Sequence, residues 1–385
     1  MARANLLNTQ SLVLLQAAIL FRSGLRNEDD SKTTWSLTSL IFHIAQAMGL
    51  HRDGITFGLK PFNIELRRRL WWHICLLDMR SSEFHGYEPI VRDDMFDTKL
   101  PLNINDSDLA PHMTDSPVEL EGYTRMTFCL IRCEVMKAAW KVGYASPTRN
   151  SPATVSRDDG ELIVQEELKS RLEERYLRYC DESMPFMLFT STVARLIVAR
   201  TGLIVDFPRK QKEAYTSTTI RDELFSTSME VLELSSLTLT NKSISKWTWH
   251  SKAHIQWHAV IFVLSEICSR PASAECDWAW QFINTVHNRW NINERGKRGN
   301  LWRPIQRLMV KACYVREMQQ VDPGFYLTGR MAMLDAMPVE ARSVRLQQET
   351  PGSCGMSSPN EYMDWMFGDL GIDLYGGMMN GPSWD

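Results

Sequence analysis

The chain has no cationic excess: 43 lysines and arginines face 46 acids, a formal charge of −3. Affinity for nucleic acid rests on a positive surface that releases counterions from phosphate, so specific DNA or RNA binding by this chain alone is not expected. It also lacks the run of about 18 apolar residues that a membrane span requires. Met187 to Val205 is interrupted by Arg195 and Arg200, and Leu12 to Phe21 (LVLLQAAILF) is broken by Gln16 and followed by Arg-Ser-Gly-Leu-Arg. Small residues should mark a cleavage point there, so this stretch does not read as a signal peptide. Cysteine clusters are missing too. Cys75, Cys129, Cys133, Cys180, Cys268, Cys276, Cys313 and Cys354 are scattered, as expected of reduced thiols in a nuclear or cytosolic protein. No glycine-rich phosphate loop, repeat period or alternating strand pattern is found. The serines lack a Gly-x-Ser-x-Gly elbow, and the Asp93-Asp94 pair sits in an Asp- and Asn-rich loop that explains it without chemistry. No enzyme and no cofactor are expected.

What the chain does have is helical periodicity, which predicts an all-α multi-helix bundle. Asn8, Thr9 or Ser11 can cap a helix ending near Gly24, whose nearly all-round apolarity predicts burial. A second helix spans about 34–48, with Gly49 in the position of a left-handed C-cap. The third starts near Pro61 to Asn63. Others are expected near 117–143, 161–180, 186–204, 219–239, 247–269, 276–290 and 301–318. Between them lie a long irregular loop at 86–109 and a flexible connection at 145–160. The expected organisation is a helical body at 1–330 followed by an acidic, aromatic, disordered tail at 331–385.

The third helix carries RRRLWWHICLLDMR, residues 67–80. Leu66, Leu70, Ile74 and Leu77 form one stripe, and Glu65 and Arg69 are four apart and can pair. Successive residues turn by about 100°, so Arg67, Arg68 and Arg69 cannot share one direction. Arg67 and Arg68 are expected on a solvated or ion-paired face, with Trp71 and Cys75 widening the buried side.

From Gly49 to Asp108 the residues cease to be generic: Gly49-Leu-His51-Arg52-Asp53, then Glu65-x-Arg67-Arg68-Arg69-x-Trp71-Trp72, Asp78 closing the helix, Gly86 and Pro89 in a turn, and Leu100-Pro101-x-Asn103-x-Asn105-Asp106-x-Asp108. This stretch resembles the middle homology region of fungal zinc-binuclear-cluster transcription factors. It departs from that pattern at Gly-Tyr-Glu-Pro, where a shorter Gly-Arg-Pro turn is common. The resemblance implies an all-α regulatory domain in a nuclear transcription regulator, with these motif residues structural. It also implies that zinc and DNA contact belong to a separate six-cysteine module. No six-cysteine run stands in this sequence, where Cys129 and Cys133 are the closest pair, so the resemblance implies a regulatory domain at 1–330 that is N-terminally incomplete and without that module. The implied partners are transcription factors or coactivators, a homo- or hetero-dimer mate and a small-molecule effector. The alternative is a non-activating helical protein that dimerises with and dampens a full-length relative.

Two further groups carry sharper hypotheses. His250, His254 and His258 fall at i, i+4 and i+8 on one helical face, a zinc-compatible spacing that still needs a ligand from elsewhere. Histidines among Trp247, Trp249 and Trp257 more often pack with one ring nitrogen satisfied. In the tail, Trp365, Phe367 and Leu370 stand among Glu361, Asp364, Asp369 and Asp373, the acidic and hydrophobic alternation of an activation segment. From the charge balance, the purified chain is expected to shift no duplex in a gel at physiological salt with nanomolar, sequence-dependent affinity.

Overall fold

The computed structural model describes residues 11–25, 32–85, 89–141, 157–214, 218–252, 256–289, 302–322 and 324–325. Among them are eleven α-helices and no strand: α1 (Leu12–Leu25), α2 (Lys32–Ala47), α3 (Pro61–His85), α4 (Thr127–Lys141), α5 (Arg157–Arg175), α6 (Pro185–Ala214), α7 (Thr218–Thr240), α8 (Thr248–Lys252), α9 (Trp257–Ser269), α10 (Ala274–Arg289) and α11 (Trp302–Val321). They fall into two compact units, one of residues 1–198 with 238–253 and one of 199–237 with 254–385.

In the first unit α1, α2 and α3 pack on one another. Leu15, Ala18 and Ile19 meet Ile41, Phe42 and Ala45, and the expected α3 stripe is buried with them at Leu70, Ile74 and Leu77, joined by Cys133 and Met136 of α4. Inside this apolar wedge Arg22 of α1 is buried and donates to Thr38 of α2 (2.6 Å) and to Ser81 of α3. A second cluster joins α4 to α5 through Leu130, Ile131, Leu168 and Leu172. Gly49 ends α2 with φ 73°, the left-handed conformation that its position called for. In the second unit α9 packs against α10 and α11, and its Val263 and Leu264 are fully buried.

Several sequence expectations need correction. α1 is apolar all round but not enclosed: Val13, Leu20 and Phe21 are 71%, 72% and 51% exposed. α3 does not close at Asp78 but continues to His85, since no glycine or proline interrupts Met79 to His85, and the Asp78 carboxylate accepts the Val91 N–H at 2.8 Å. Residues 117–126 are not helical. Buried Asn103 donates to the Leu120 and Gly122 carbonyls, which holds that segment extended until Thr124 and Thr127 exchange bonds at the start of α4. The connection expected at 145–160 lies outside the described residues up to 156, and 157–160 already belong to α5. The tail also lies outside them.

The single helix expected at 247–269 is broken. Lys242–Trp247 is a 3-10 turn with Asn241 as its cap, α8 is one short helix, and Gln256 before α9 has the non-helical φ −88° and ψ 61°.

Trp71 lies at the centre of the first core, fully buried, with its ring 5.9 Å from Phe42 and 5.5 Å from Phe96. Trp71→Ala is expected to cost about 3–5 kcal/mol of stability, read as a lower midpoint of urea unfolding.

Candidate functional site

The residues of the family-like motif converge on α3, and the three arginines are the centre of the arrangement. Each leaves the helix in its own direction and meets a different segment. Arg67, half-buried, donates to the Met48 carbonyl at 2.6 Å, satisfying an orphan acceptor at the C-terminal end of α2, where a cation also suits the helix dipole. Arg68 reaches Asp53 through two parallel bonds, Nε to Oδ2 at 2.8 Å and Nη2 to Oδ1 at 3.0 Å. Arg69 pairs with Glu65 one turn earlier at 2.8 Å and with Asp106 at 2.6 Å. The Glu65–Arg69 pairing is the one expected from the spacing. Of the solvated or ion-paired face expected for Arg68, the structure shows the ion-paired one, and it is buried: Arg68 is 6% exposed and Asp53 4%.

Asp53 is a buried carboxylate whose oxygens accept from four donors: the two Arg68 nitrogens, the Ile55 N–H and the Lys99 N–H. Burial alone would push its pKa up. The Arg68 hydrogen bonds, with the Lys99 and Ile55 amides, outweigh that and hold the carboxyl below its ordinary range. Its neighbours extend the lacing. The Asp53 N–H donates to Asp97 Oδ1 at 2.7 Å, Arg52 pairs with the other Asp97 oxygen at 3.1 Å, and the Asp97 N–H returns to the His51 carbonyl. Thr98 Oγ1 donates to the Leu50 carbonyl, and Trp72 Nε1 to that of Lys99. His51 packs its ring 6.2 Å from that of Trp71, and burial pushes its pKa down.

The long loop is thus pinned at its middle and its end. Buried Glu65 also accepts the Leu102 N–H, Pro101 is buried, Pro89 is half-buried, and Asn105 Oδ1 accepts the Arg125 N–H. Across the short turn that contains Asp106, the Asn105 N–H donates to Asp108 Oδ2 at 2.9 Å and the Asp108 N–H to the Asn105 carbonyl. Gly86 lies outside the described residues. Asp97 and Thr98 were not singled out from the sequence, although both stand beside the motif. A polar residue with fixed spacing to an extended, proline-containing stretch is the signal that would have pointed to them.

Chemically the arrangement is a strut. The carboxylates of Asp53, Glu65, Asp97 and Asp106 are occupied by guanidinium and amide donors that tie one segment to the next. Asp93 and Asp94 are exposed on a 3-10 turn, with Asp94 paired to Arg92. The histidine triplet is not brought together on one helix. His250 stands on α8 in the first unit, His254 lies outside the described residues, and His258 belongs to α9 in the second unit. His250 instead sits among rings, 5.5 Å from Phe128 and 5.8 Å from Phe189. Burial, with Arg200 nearby, drives the His258 pKa well below its ordinary value. No group of three metal-ligating side chains occurs among the described residues. Trp365, Phe367 and Leu370 lie outside them.

An all-α domain whose α2–α3 junction is locked by internal ion pairs to the loop that follows is what the motif defines here. Residues 3–120 match the fungal specific transcription factor domain, and the chain carries that domain. Across 384 residues, 98% of this chain, it is 26% identical to the aurofusarin cluster transcription factor of Gibberella zeae, covering 57% of that protein. It is 31% identical over 290 residues to the C6 finger domain transcription factor hasF of Aspergillus fumigatus, with 69% of this chain and 38% of the relative covered. A pyriculol/pyriculariol biosynthesis cluster transcription factor of Pyricularia oryzae is 26% identical over 74% of this chain and 39% of its own length. The chain therefore spans between about two fifths and three fifths of the length of these curated relatives. No solved structure matches it.

Removing one partner of a buried ion pair leaves the other charge stranded, so Arg68→Ala and Asp53→Ala are each expected to cost about 3–5 kcal/mol. The exposed Arg52–Asp97 pair is expected to contribute under about 1 kcal/mol, and Arg52→Ala measured by the same urea titration separates the two cases.

Asp78 gives a pH signature. Burial raises its pKa from 3.8 to about 6, opposed by the Val91 and Ile90 amides. The folded state therefore holds a proton that the unfolded chain releases between about pH 4 and 6, and stability falls as pH rises through that window. The expected loss is about 2–3 kcal/mol relative to Asp78→Asn, which lacks the slope. Equal slopes for the two proteins between pH 4 and 7 would refute it.

Proposed function

We propose that this chain is the regulatory part of a fungal zinc-cluster transcription regulator, acting in the nucleus on a biosynthetic gene set rather than as an enzyme. The observation that carries the reading is the match of residues 3–120 to the fungal specific transcription factor domain, coincident with the motif residues that build the clamp. Relatives named for the aurofusarin and pyriculol clusters support the biosynthetic assignment. In this reading the domain works through other proteins, either transcription factors or coactivators, as a homo- or hetero-dimer and under control of a small-molecule effector. Zinc and DNA contact belong to a separate module, and the helical body transmits a state instead of catalysing a reaction.

The tail supplies the output. Residues 346–385 contain six acids and neither lysine nor arginine, with aromatic side chains between the acids. Aromatic side chains alternating with acids are the pattern that docks in an apolar groove of a partner. Fused to an unrelated DNA-binding domain, residues 346–385 are expected to activate a reporter. Replacing Trp365, Phe367 and Leu370 together by alanine is expected to abolish that activation. A silent fusion, or one indifferent to the triple change, favours a dampening partner in place of an activator.

A further inference from the structure

Most arginines in the first unit have an oxygen to hold. Arg68 has Asp53, Arg69 has Glu65 and Asp106, and Arg171 and Arg175 both reach the buried Glu134. Arg132, half-buried on α4, differs. Its guanidinium carbon lies 5.4 Å from the centroid of the Phe128 ring, and the ionisable groups that act on it are Cys129, Cys133 and a second cation, Arg80. No carboxylate of a described residue is among them. Desolvation, with Arg80 adding to it, pulls the Arg132 pKa down to about 10, where a guanidinium in water stays far higher. A charge withdrawn from water is ordinarily paired, and a phenyl face replaces only part of what water or a carboxylate supplies.

The surroundings say what would complete it. Phe128 is one edge of an aromatic platform formed with Phe186, Phe189, Trp247 and His250, all within the first unit, with ring centroids 5.1 to 6.2 Å apart for the pairs Phe186–Trp247, Phe128–Phe189, Phe128–His250 and Phe128–Phe186. Phe189 is buried at its base, whereas Phe128, Phe186, Trp247 and His250 are each partly exposed, and Trp249 beside His250 is 55% exposed. A guanidinium offers a planar fork that matches a carboxylate in two parallel bonds, and ring faces accept a flat apolar body. Such sites combine an apolar wall with a few placed polar groups.

We propose that Arg132 and this platform bind an aromatic carboxylic acid, with the carboxylate on the Arg132 guanidinium and the ring against the Phe128 edge of the platform. The inference gives a chemistry to the effector named under the proposed function and rests on that reading only for the ligand's role. Its test reads binding and not transcription, so either can fail alone.

The test is calorimetric titration of the full chain with 2-naphthoate, with its neutral counterpart 2-naphthamide and with inorganic phosphate. Naphthoate is expected to bind, and naphthamide to bind more weakly by about ten-fold or more, the value of one charge-assisted contact. Arg132→Gln is expected to reduce naphthoate affinity to the naphthamide level. It should also melt at or above the unliganded parent temperature, because an unpaired charge has been removed. Absence of naphthoate binding, equal affinity for acid and amide, or binding unchanged in Arg132→Gln would overturn the proposal. Tighter phosphate than naphthoate binding through Arg132 would replace the aromatic acid by a simple anion. A lower melting temperature for Arg132→Gln without loss of naphthoate binding would make Arg132 a packing residue.

Discussion

The first unit depends on one buried ion pair. Arg68 and Asp53 lie fifteen residues apart and nearly out of water, and neither charge could be there without the other. Asp53 in turn accepts the Lys99 amide, so the pair fixes both the segment leaving α2 and the loop returning after α3. Arg67 and Arg69 repeat the logic on either side, toward Met48 and Asp106. Because helical residues turn by about 100°, three consecutive arginines can hold three separate stretches of backbone, which three spaced ones on a single face could not.

The apolar core and the clamp divide the work. Packing of Trp71, Ile74 and Leu77 against Phe42 and Ile41 supplies the bulk of the burial. It does not specify where an irregular stretch such as 89–109 should lie, since apolar contact is non-directional. Direction comes from the hydrogen bonds of Asp53, Glu65, Asp97, Thr98 and Trp72, each of which names a particular partner. A loop of this length without regular structure is uncommon in a compact body. Here it is ordered by polar contacts from a helix that is itself part of the core.

Much of this was legible in the sequence where periodicity governs. The stripe of α3, the Glu65–Arg69 pairing and the left-handed Gly49 all follow from local rules. What periodicity cannot supply is the identity of a distant partner. The wheel placed Arg68 off the apolar stripe, on a face expected to be solvated or ion-paired, and could not say that its partner is a buried acid of another segment. The same blindness runs the other way in α1, where a helix apolar on every side still leaves Val13, Leu20 and Phe21 in the open. Nor did proline or glycine mark the break before α9, so the histidine face looked continuous. The match of His51 to Asp106 with a known motif located the clamp, although which of its residues bond to which is visible only in three dimensions.

The position of α3 between its two sets of partners has a consequence for how the gene can vary. Arg67 and Arg68 draw on residues encoded before the helix, and Arg69 and Trp72 on residues encoded after it. A transcript that skipped the segment carrying Asp53 but kept Arg68, or the reverse, would remove one member of a buried pair and strand its mate, so the product would be not a shortened domain but an unfolded one. This interval is therefore one where splice variation and exon loss should be poorly tolerated.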